Sequence, residues 1–261
     1  MIVIPSSQSQ EKKDALRFAG AQLVEVPPVP SASPNHYVKI GARLAEELGA
    51  FFTGQFDSVV NRQAHIESTG PEIYEQLDGE VDGFSCAIGT GGTLSGTAAY
   101  LKEKTDGKVK IALTDPGGAK LVSFYNSGVF EASGGSISEG IGQVRVTGAI
   151  GEDFKPDFAF QVDDSEAMEI CFNLMKHEGI SVGMSSGINV AGAMKLANAI
   201  GPGKTIVTIL CDSADRYKAK MFDVEFLKEK GLPVPDWLVT PGLNEDVASA
   251  VARATVDTEK K

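Results

Sequence analysis

The 261-residue chain holds three cysteines, three histidines and one tryptophan, and each scarcity removes a class of protein. Cys86, Cys171 and Cys211 are odd in number, widely spaced and set in apolar stretches. That excludes a disulfide-framed scaffold and reads as reduced thiols in the cytoplasm, with a mitochondrial matrix as the alternative. His36, His65 and His177 do not stand at ligand spacings, so no metal centre is expected and each reads as a surface or satisfied polar side chain. No apolar run approaches a membrane span, no signal-peptide pattern opens the chain, and neither repeats nor low-complexity tracts occur. Basic residues are also in deficit: 24 Lys and Arg against 35 Asp and Glu give a net charge of -11. No nucleic acid and no membrane partner is expected of such a chain, and any bound phosphate must be held by local donors.

Apolar residues and glycine are plentiful, at 42% and 29 residues, enough for one large α/β domain or two smaller ones. A strand over 2–4, a helix over 9–19 capped by Ser9 and stopped by Gly20, and a strand over 23–26 form one βαβ unit with parallel strands. Lys12 and Lys13 fall on an exposed face of that helix. A connector stiffened by Pro27, Pro28, Pro30 and Pro34 leads to a helix over 37–48, with Val38, Ile40, Leu44 and Leu48 as its buried face. Further strands are expected over 84–88, 109–114, 158–162 and 205–211. Helices are expected over 93–104, after a cap at Asp163, Asp164 and Ser165, and over 190–200, opened by Ser185-Ser-Gly-Ile-Asn189. The alternation predicts doubly wound, mostly parallel α/β sheets with a ligand crevice at the carboxyl ends of the strands. A two-faced strand beginning at the first residue also carries the expectation that preceding sequence is missing.

The stretch with most chemistry is Gly89-Thr-Gly-Gly-Thr93, between an apolar strand and a helix. Glycines there let the backbone approach an anion, the threonines offer hydroxyls, and the unpaired amides of the first helical turn attract negative charge. A dinucleotide loop would carry a third glycine where Leu94 stands, although Asp115 sits about where a ribose-binding acid belongs. A P-loop is excluded, since no Gly-Lys-Ser/Thr follows the turn. A bare strand-to-helix turn with no ligand is the remaining alternative for this loop alone.

Taken together, Gly89-Thr-Gly-Gly-Thr93, Gln55-Phe-Asp, Ser68-Thr-Gly-Pro-Glu72, Glu139-Gly-Ile-Gly142, Ser185-Ser-Gly-Ile-Asn189 and Asp212-Ser213 with Arg216-Tyr217 closely resemble cysteine synthase (O-acetylserine sulfhydrylase). The resemblance runs from Ile2 to about Trp237 and implies the tryptophan synthase β-like fold, N-terminally truncated. Residues 1–50 are then a remnant of the smaller substrate-side domain, 51–237 the large domain that binds the cofactor phosphate, and 238–261 a tail without family motifs, read as a frayed helix. The cofactor implied is pyridoxal 5'-phosphate, its phosphate on Gly89, Thr90, Gly91, Gly92 and Thr93 and its pyridine nitrogen on Ser213. Gln55 lies near the substrate carboxylate and Gly140 in the loop that closes over it. The implied reaction is β-replacement of O-acetylserine by sulfide, giving cysteine and acetate, in a homodimer or in a pair with a full-length homologue. The family's Schiff-base lysine has no counterpart in this chain. An inactive or regulatory homologue, a related lyase such as a cystathionine synthase or cysteine desulfhydrase, and a nicotinamide-dinucleotide protein are the alternatives. Met184 and Gly54 depart from the family pattern and are expected to narrow the pocket.

Overall fold

The computed structural model describes residues 1–239 together with Val247, Ser249, Val251 and Arg253; the frayed helix expected over 238–261 lies almost wholly outside them. The chain opens with β1 (Ile2–Pro5), α1 (Gln10–Phe18) and β2 (Leu23–Val26), the two strands paired in parallel with Ile2 opposite Leu23. Lys13 is buried rather than exposed, because its Nζ reaches the Ser6 carbonyl at 2.7 Å and Glu25 at 2.8 Å. Ser9 makes no cap bond to α1, and its hydroxyl lies instead 3.5 Å from the Arg216 carbonyl. The helix expected over 37–48 is α2 (Tyr37–Glu47), but none of its residues is buried. Its apolar side lines a cavity of about 830 Å³ together with Met1, Phe51, Phe52 and Gln55.

Two short helices, α3 (Val59–Glu67) and α4 (Thr69–Gln76), precede the main sheet. Its elements follow in order: β3 (Gly83–Ala87), α5 (Gly92–Lys104), β4 (Lys110–Pro116), α6 (Leu121–Ser127), β5 (Phe158–Val162), α7 (Asp164–Asn173), α8 (Met184–Ile200) and β6 (Ile206–Thr208). A wider helical turn, Leu174–Glu178, continues α7. A 3₁₀ turn, Ala214–Tyr217, leads to α9 (Lys218–Met221), α10 (Val224–Glu229) and α11 (Asp236–Val239).

All pairings are parallel and the strand order is β5-β4-β3-β6. Such a sheet must be covered on both faces. One core gathers Phe84, Leu94, Leu101, Ile111 and Leu113 beneath α5; the other gathers Val162, Met168, Cys171, Ile188 and Ala191 beneath α7 and α8. Burying each large apolar side chain is worth about 1.5–3 kcal/mol. Ser85 interrupts the apolar pattern of β3, and its Oγ bonds to Thr114 Oγ1 at 2.9 Å inside the protein. Gly192 of α8 sits directly over that pair, so a Cβ there would run into Thr114 Oγ1 and lie 2.7 Å from Ser85 Oγ.

Two boundaries differ from expectation for one reason. The segment 185–189 lies inside α8 instead of preceding it, and β6 covers three residues instead of seven. Beyond Thr208 the chain is held by α8 side chains rather than by a strand ladder, with Cys211 N donating to Ser186 Oγ at 2.8 Å. Asp163 likewise makes no side-chain cap. Met184, expected to narrow the pocket, packs in the core beneath α7 and α8.

Substituting Gly192 by alanine therefore overpacks the closest approach of helix and sheet. A loss of about 1–3 kcal/mol is expected, measured as a lower urea midpoint with an unchanged slope.

Candidate functional site

The strand order places the crevice. Moving from β3 to β4 to β5 the chain steps one way across the sheet, and β6 returns to the opposite side of β3. The loops leaving β3 and β6 at their carboxyl ends thus flank the point where the order reverses, the position at which open parallel sheets bind ligands. The first of these loops is 89–92 and the second is 209–213.

In the first loop Gly91 is the residue before α5 and adopts φ 97°; among the described residues the only side-chain bond to the first-turn amides is a long one, from Gly92 N to Thr90 Oγ1 at 3.4 Å. The first-turn amides are left for an anion, and the helix dipole favours one by up to about 1 kcal/mol. A Cβ on Gly91 would run into Ile150, one on Gly92 into Asn61, and one on Gly89 would lie 2.7 Å from the Gly140 carbonyl. The glycines therefore let the surrounding chain close on the loop. Thr90 Oγ1 accepts from Asn61 Nδ2 at 2.9 Å, which leaves its own hydrogen to donate. Thr93 Oγ1 pairs with His65 Nε2 at 3.1 Å, and the Thr90 carbonyl accepts from Thr147 Oγ1. Residues 89–93 contain amides and hydroxyls and no carboxylate, so the donor set fits a phosphate.

The second loop is fixed by Asn189 of α8, which is fully buried. Its Oδ1 accepts from Ala87 N at 2.7 Å and its Nδ2 donates to the Ile209 carbonyl at 2.7 Å. One amide thereby joins the ends of β3 and of the segment after β6. Ser213 follows, and in this structure it caps the 3₁₀ turn: its Oγ accepts from Asp215 N at 3.3 Å and donates to Asp215 Oδ2 at 3.2 Å. Both bonds are long, so redirecting the hydroxyl to a ligand costs little. Tyr217 OH donates to Asp212 Oδ2 at 2.8 Å, and that carboxylate and burial both push the phenol up.

The loop carrying Gly140 lies over the cradle, with Gly142 N bonded to the Ile88 carbonyl at 3.1 Å. Glu139 is held from two sides, by Lys12 at 2.7 Å and Lys220 at 2.6 Å. Burial works to raise the Glu139 carboxyl, and the hydrogen bonds and charges of the two lysines outweigh it, leaving the group below its ordinary value. Asp164 grips the same loop through Ser136 at 2.5 Å and Ile137 N at 2.7 Å.

The structure thus brings Gly89, Thr90, Gly91, Gly92, Thr93 and Gly140 into direct contact. Gln55 joins them through Asn61, whose Nδ2 also donates to the Gln55 carbonyl at 2.8 Å, while the residue itself lines the 830 Å³ cavity beside α2. Ser213 stands at the end of the second loop, bonded to Asp215 and not to the cradle. Asp115 takes no part: it is buried within β4, and burial raises its carboxyl well above the ordinary value. Enclosed at 1% exposure, its carboxyl is not presented to a ribose, which counts against the dinucleotide alternative. Asn61, His65 and Asn189 are the residues of this region that sequence reasoning did not single out for a role here. Their signal was present only as polar residues at i, i+4 on α3 and as one asparagine inside an apolar helix.

A parallel α/β sheet with a glycine- and hydroxyl-rich loop at its switch point has the form of a phosphate-binding fold. The family model described as "Pyridoxal-phosphate dependent enzyme" matches residues 1–212, and the chain belongs to that family. Cysteine synthase 1 of Neurospora crassa is 44% identical over 236 residues, covering 89% of this chain and 63% of that protein; Cysteine synthase 1 of Emericella nidulans is also 44% identical, covering 89% and 64%. The crystal structure of an O-acetylserine dependent cystathionine beta-synthase from Helicobacter pylori superposes with a TM-score of 0.74 at 30% identity, over 84% of this chain and 68% of that one. The chain thus spans about 63% of the length of the first of these relatives.

Two outcomes test the site's construction. Asn189→Leu keeps the volume but leaves the Ala87 amide and the Ile209 carbonyl without their partner, each worth about 1–3 kcal/mol. A large drop in the urea midpoint is expected. For Glu139 the lowered pKa means that its contribution is present above the ordinary carboxylate range and is lost as pH falls through the lowered value. The thermal midpoint of the unsubstituted protein should fall more steeply on acidification than that of Glu139→Gln, and parallel curves would show that the ion pairs contribute nothing.

Proposed function

We propose that the chain provides the cofactor-holding part of a cysteine synthase site, serving β-replacement of O-acetylserine by sulfide to give cysteine and acetate. The observation that carries this reading is the glycine–threonine loop Gly89–Thr93 at the carboxyl end of β3, beside the segment after β6 that leads to Ser213 and is tied to β3 by Asn189, in a chain 44% identical to cysteine synthase 1 of Neurospora crassa. We assign residues 1–50 to the substrate-side unit and 51–237 to the unit holding the phosphate.

The amides of the first turn of α5 and the hydroxyls of Thr90 and Thr93 bind the phosphate of pyridoxal 5'-phosphate and anchor it. When bound, that cofactor would supply an electron sink for the substrate's α-carbon, whose proton is lost as acetate departs from the adjacent β-carbon. Ser213 donates a neutral hydrogen bond to the ring nitrogen; unlike a carboxylate, it does not favour protonation there, which suits elimination over transamination. Gln55 receives the substrate carboxylate, and the loop containing Gly140 covers the amino acid and excludes water. The Schiff-base role falls to none of the lysines whose partners are defined near the site. Lys12 and Lys220 are bound to Glu139, and Lys13 to Ser6 and Glu25. Homodimerisation, or pairing with a full-length homologue, is the assembly proposed.

Titration with pyridoxal 5'-phosphate and with pyridoxal, which lacks the phosphate, tests the reading. The phosphate form should bind about a hundredfold more tightly, given two or more charge-assisted hydrogen bonds. Equal affinities would remove the assignment of the loop. Borohydride reduction of the mixture followed by peptide mapping should label no single lysine stoichiometrically; a unique labelled peptide would reassign that role within this chain.

A further inference from the structure

Asn61 and His65 stand four residues apart on α3, a spacing that puts both on one side of the helix. Each meets one of the two threonine hydroxyls of the cradle: Asn61 Nδ2 donates to Thr90 Oγ1 at 2.9 Å, and His65 Nε2 lies 3.1 Å from Thr93 Oγ1. The other ring nitrogen, Nδ1, is 2.9 Å from Thr69 Oγ1 at the start of α4. The imidazole is therefore the middle member of a chain of three side chains running from α4 to the anion loop. Burial alone lowers its pKa, so near neutral pH it carries one hydrogen, on one nitrogen or the other.

The hydrogen count decides the direction of that chain. A threonine hydroxyl has one hydrogen to give, and a phosphate accepts hydrogen bonds through its oxygens. If His65 Nε2 were the bare nitrogen, it would take the Thr93 hydrogen and the anion would face lone pairs. With the hydrogen on Nε2, the imidazole donates to Thr93 Oγ1, the Thr93 hydrogen is free for the phosphate, and Nδ1 accepts from Thr69. This is the arrangement Asn61 already imposes on Thr90, since an amide NH₂ can only donate. We propose that His65 is a positioning residue whose Nε2 hydrogen, with the Thr69 hydroxyl donating to Nδ1, turns the Thr93 hydroxyl toward the bound phosphate. The inference rests on the phosphate reading of the loop given above.

Binding of pyridoxal 5'-phosphate and of pyridoxal is to be measured for the unsubstituted 261-residue chain and for Thr69→Val, His65→Leu and His65→Gln, with circular dichroism to confirm folding. Loss of the oriented hydroxyl should weaken binding of the phosphate form about tenfold in Thr69→Val and His65→Leu and leave pyridoxal binding unchanged, a distinction that a merely structural role would not produce. His65→Gln, whose amide can donate from nearly the Nε2 position, should retain most of the affinity. Nitrogen-15 shifts of the unsubstituted protein with inorganic phosphate added should show the His65 hydrogen on Nε2, a measurement that needs no variant to fold. Unchanged phosphate-form affinity in Thr69→Val and His65→Leu, or the hydrogen on Nδ1 in the phosphate complex, overturns the inference while leaving the phosphate loop standing. If the unsubstituted chain prefers neither phosphate form nor pyridoxal, the loop assignment fails and the inference falls with it.

Discussion

The carboxamide of Asn189 is the point on which the crevice depends. It is fully buried in α8 and holds Ala87 N with its oxygen and the Ile209 carbonyl with its nitrogen, each at 2.7 Å. The β3–β6 ladder stops at Ser85 and Thr208, short of both loops that form the site. Past that point nothing in the sheet's own backbone pairing fixes their separation. A side chain that is donor and acceptor at once does so, and a buried group with both ends satisfied is far less costly than one with either end free.

Around that clamp the protein spends close contact rather than charge. The cradle has no lysine or arginine of its own, in a chain of net charge -11, so its attraction for an anion comes from amides and hydroxyls held in fixed directions. The glycines at 89, 91 and 92 are what permit Gly140, Ile150 and Asn61 to approach the loop. Charge is used nearby for a different purpose. Lys12 from α1, Glu139 from the covering loop and Lys220 from α9 tie three distant segments together at a part-buried place, where ion pairs are screened less than at the surface. By contrast, the bidentate Arg145–Asp57 pair is more than half exposed on both sides and contributes no more than about 1 kcal/mol.

Much of the architecture was legible because its signals are local. The apolar run over 84–88 suits a strand covered on both faces, and β3 forms over Gly83–Ala87; Leu94, Ala98 and Leu101 recur at helical spacing on α5, all three buried. Where the reading went astray, a distant partner had replaced the local one. Ser9 and Asp163 had the composition of caps but make no cap bond. Lys13 looked exposed by periodicity and is drawn inward by Ser6 and Glu25. The apolar stripe of α2 was real, yet it lines a cavity instead of a core, since periodicity reports that a face is apolar and not what covers it.

The sequence by itself determined the parallel α/β class, the glycine–threonine loop between strand and helix, and the motifs by which the chain resembles its family, because these depend on residue type and short spacing. Only the tertiary structure decided that β6 returns beside β3, that Asn189 bridges the two loops, and that Asn61 and His65 stand within hydrogen-bond distance of Thr90 and Thr93. Those facts join residues from 20 to 123 positions apart, and hydrogen bonds over such separations are set by where packing places each backbone, which no local pattern encodes.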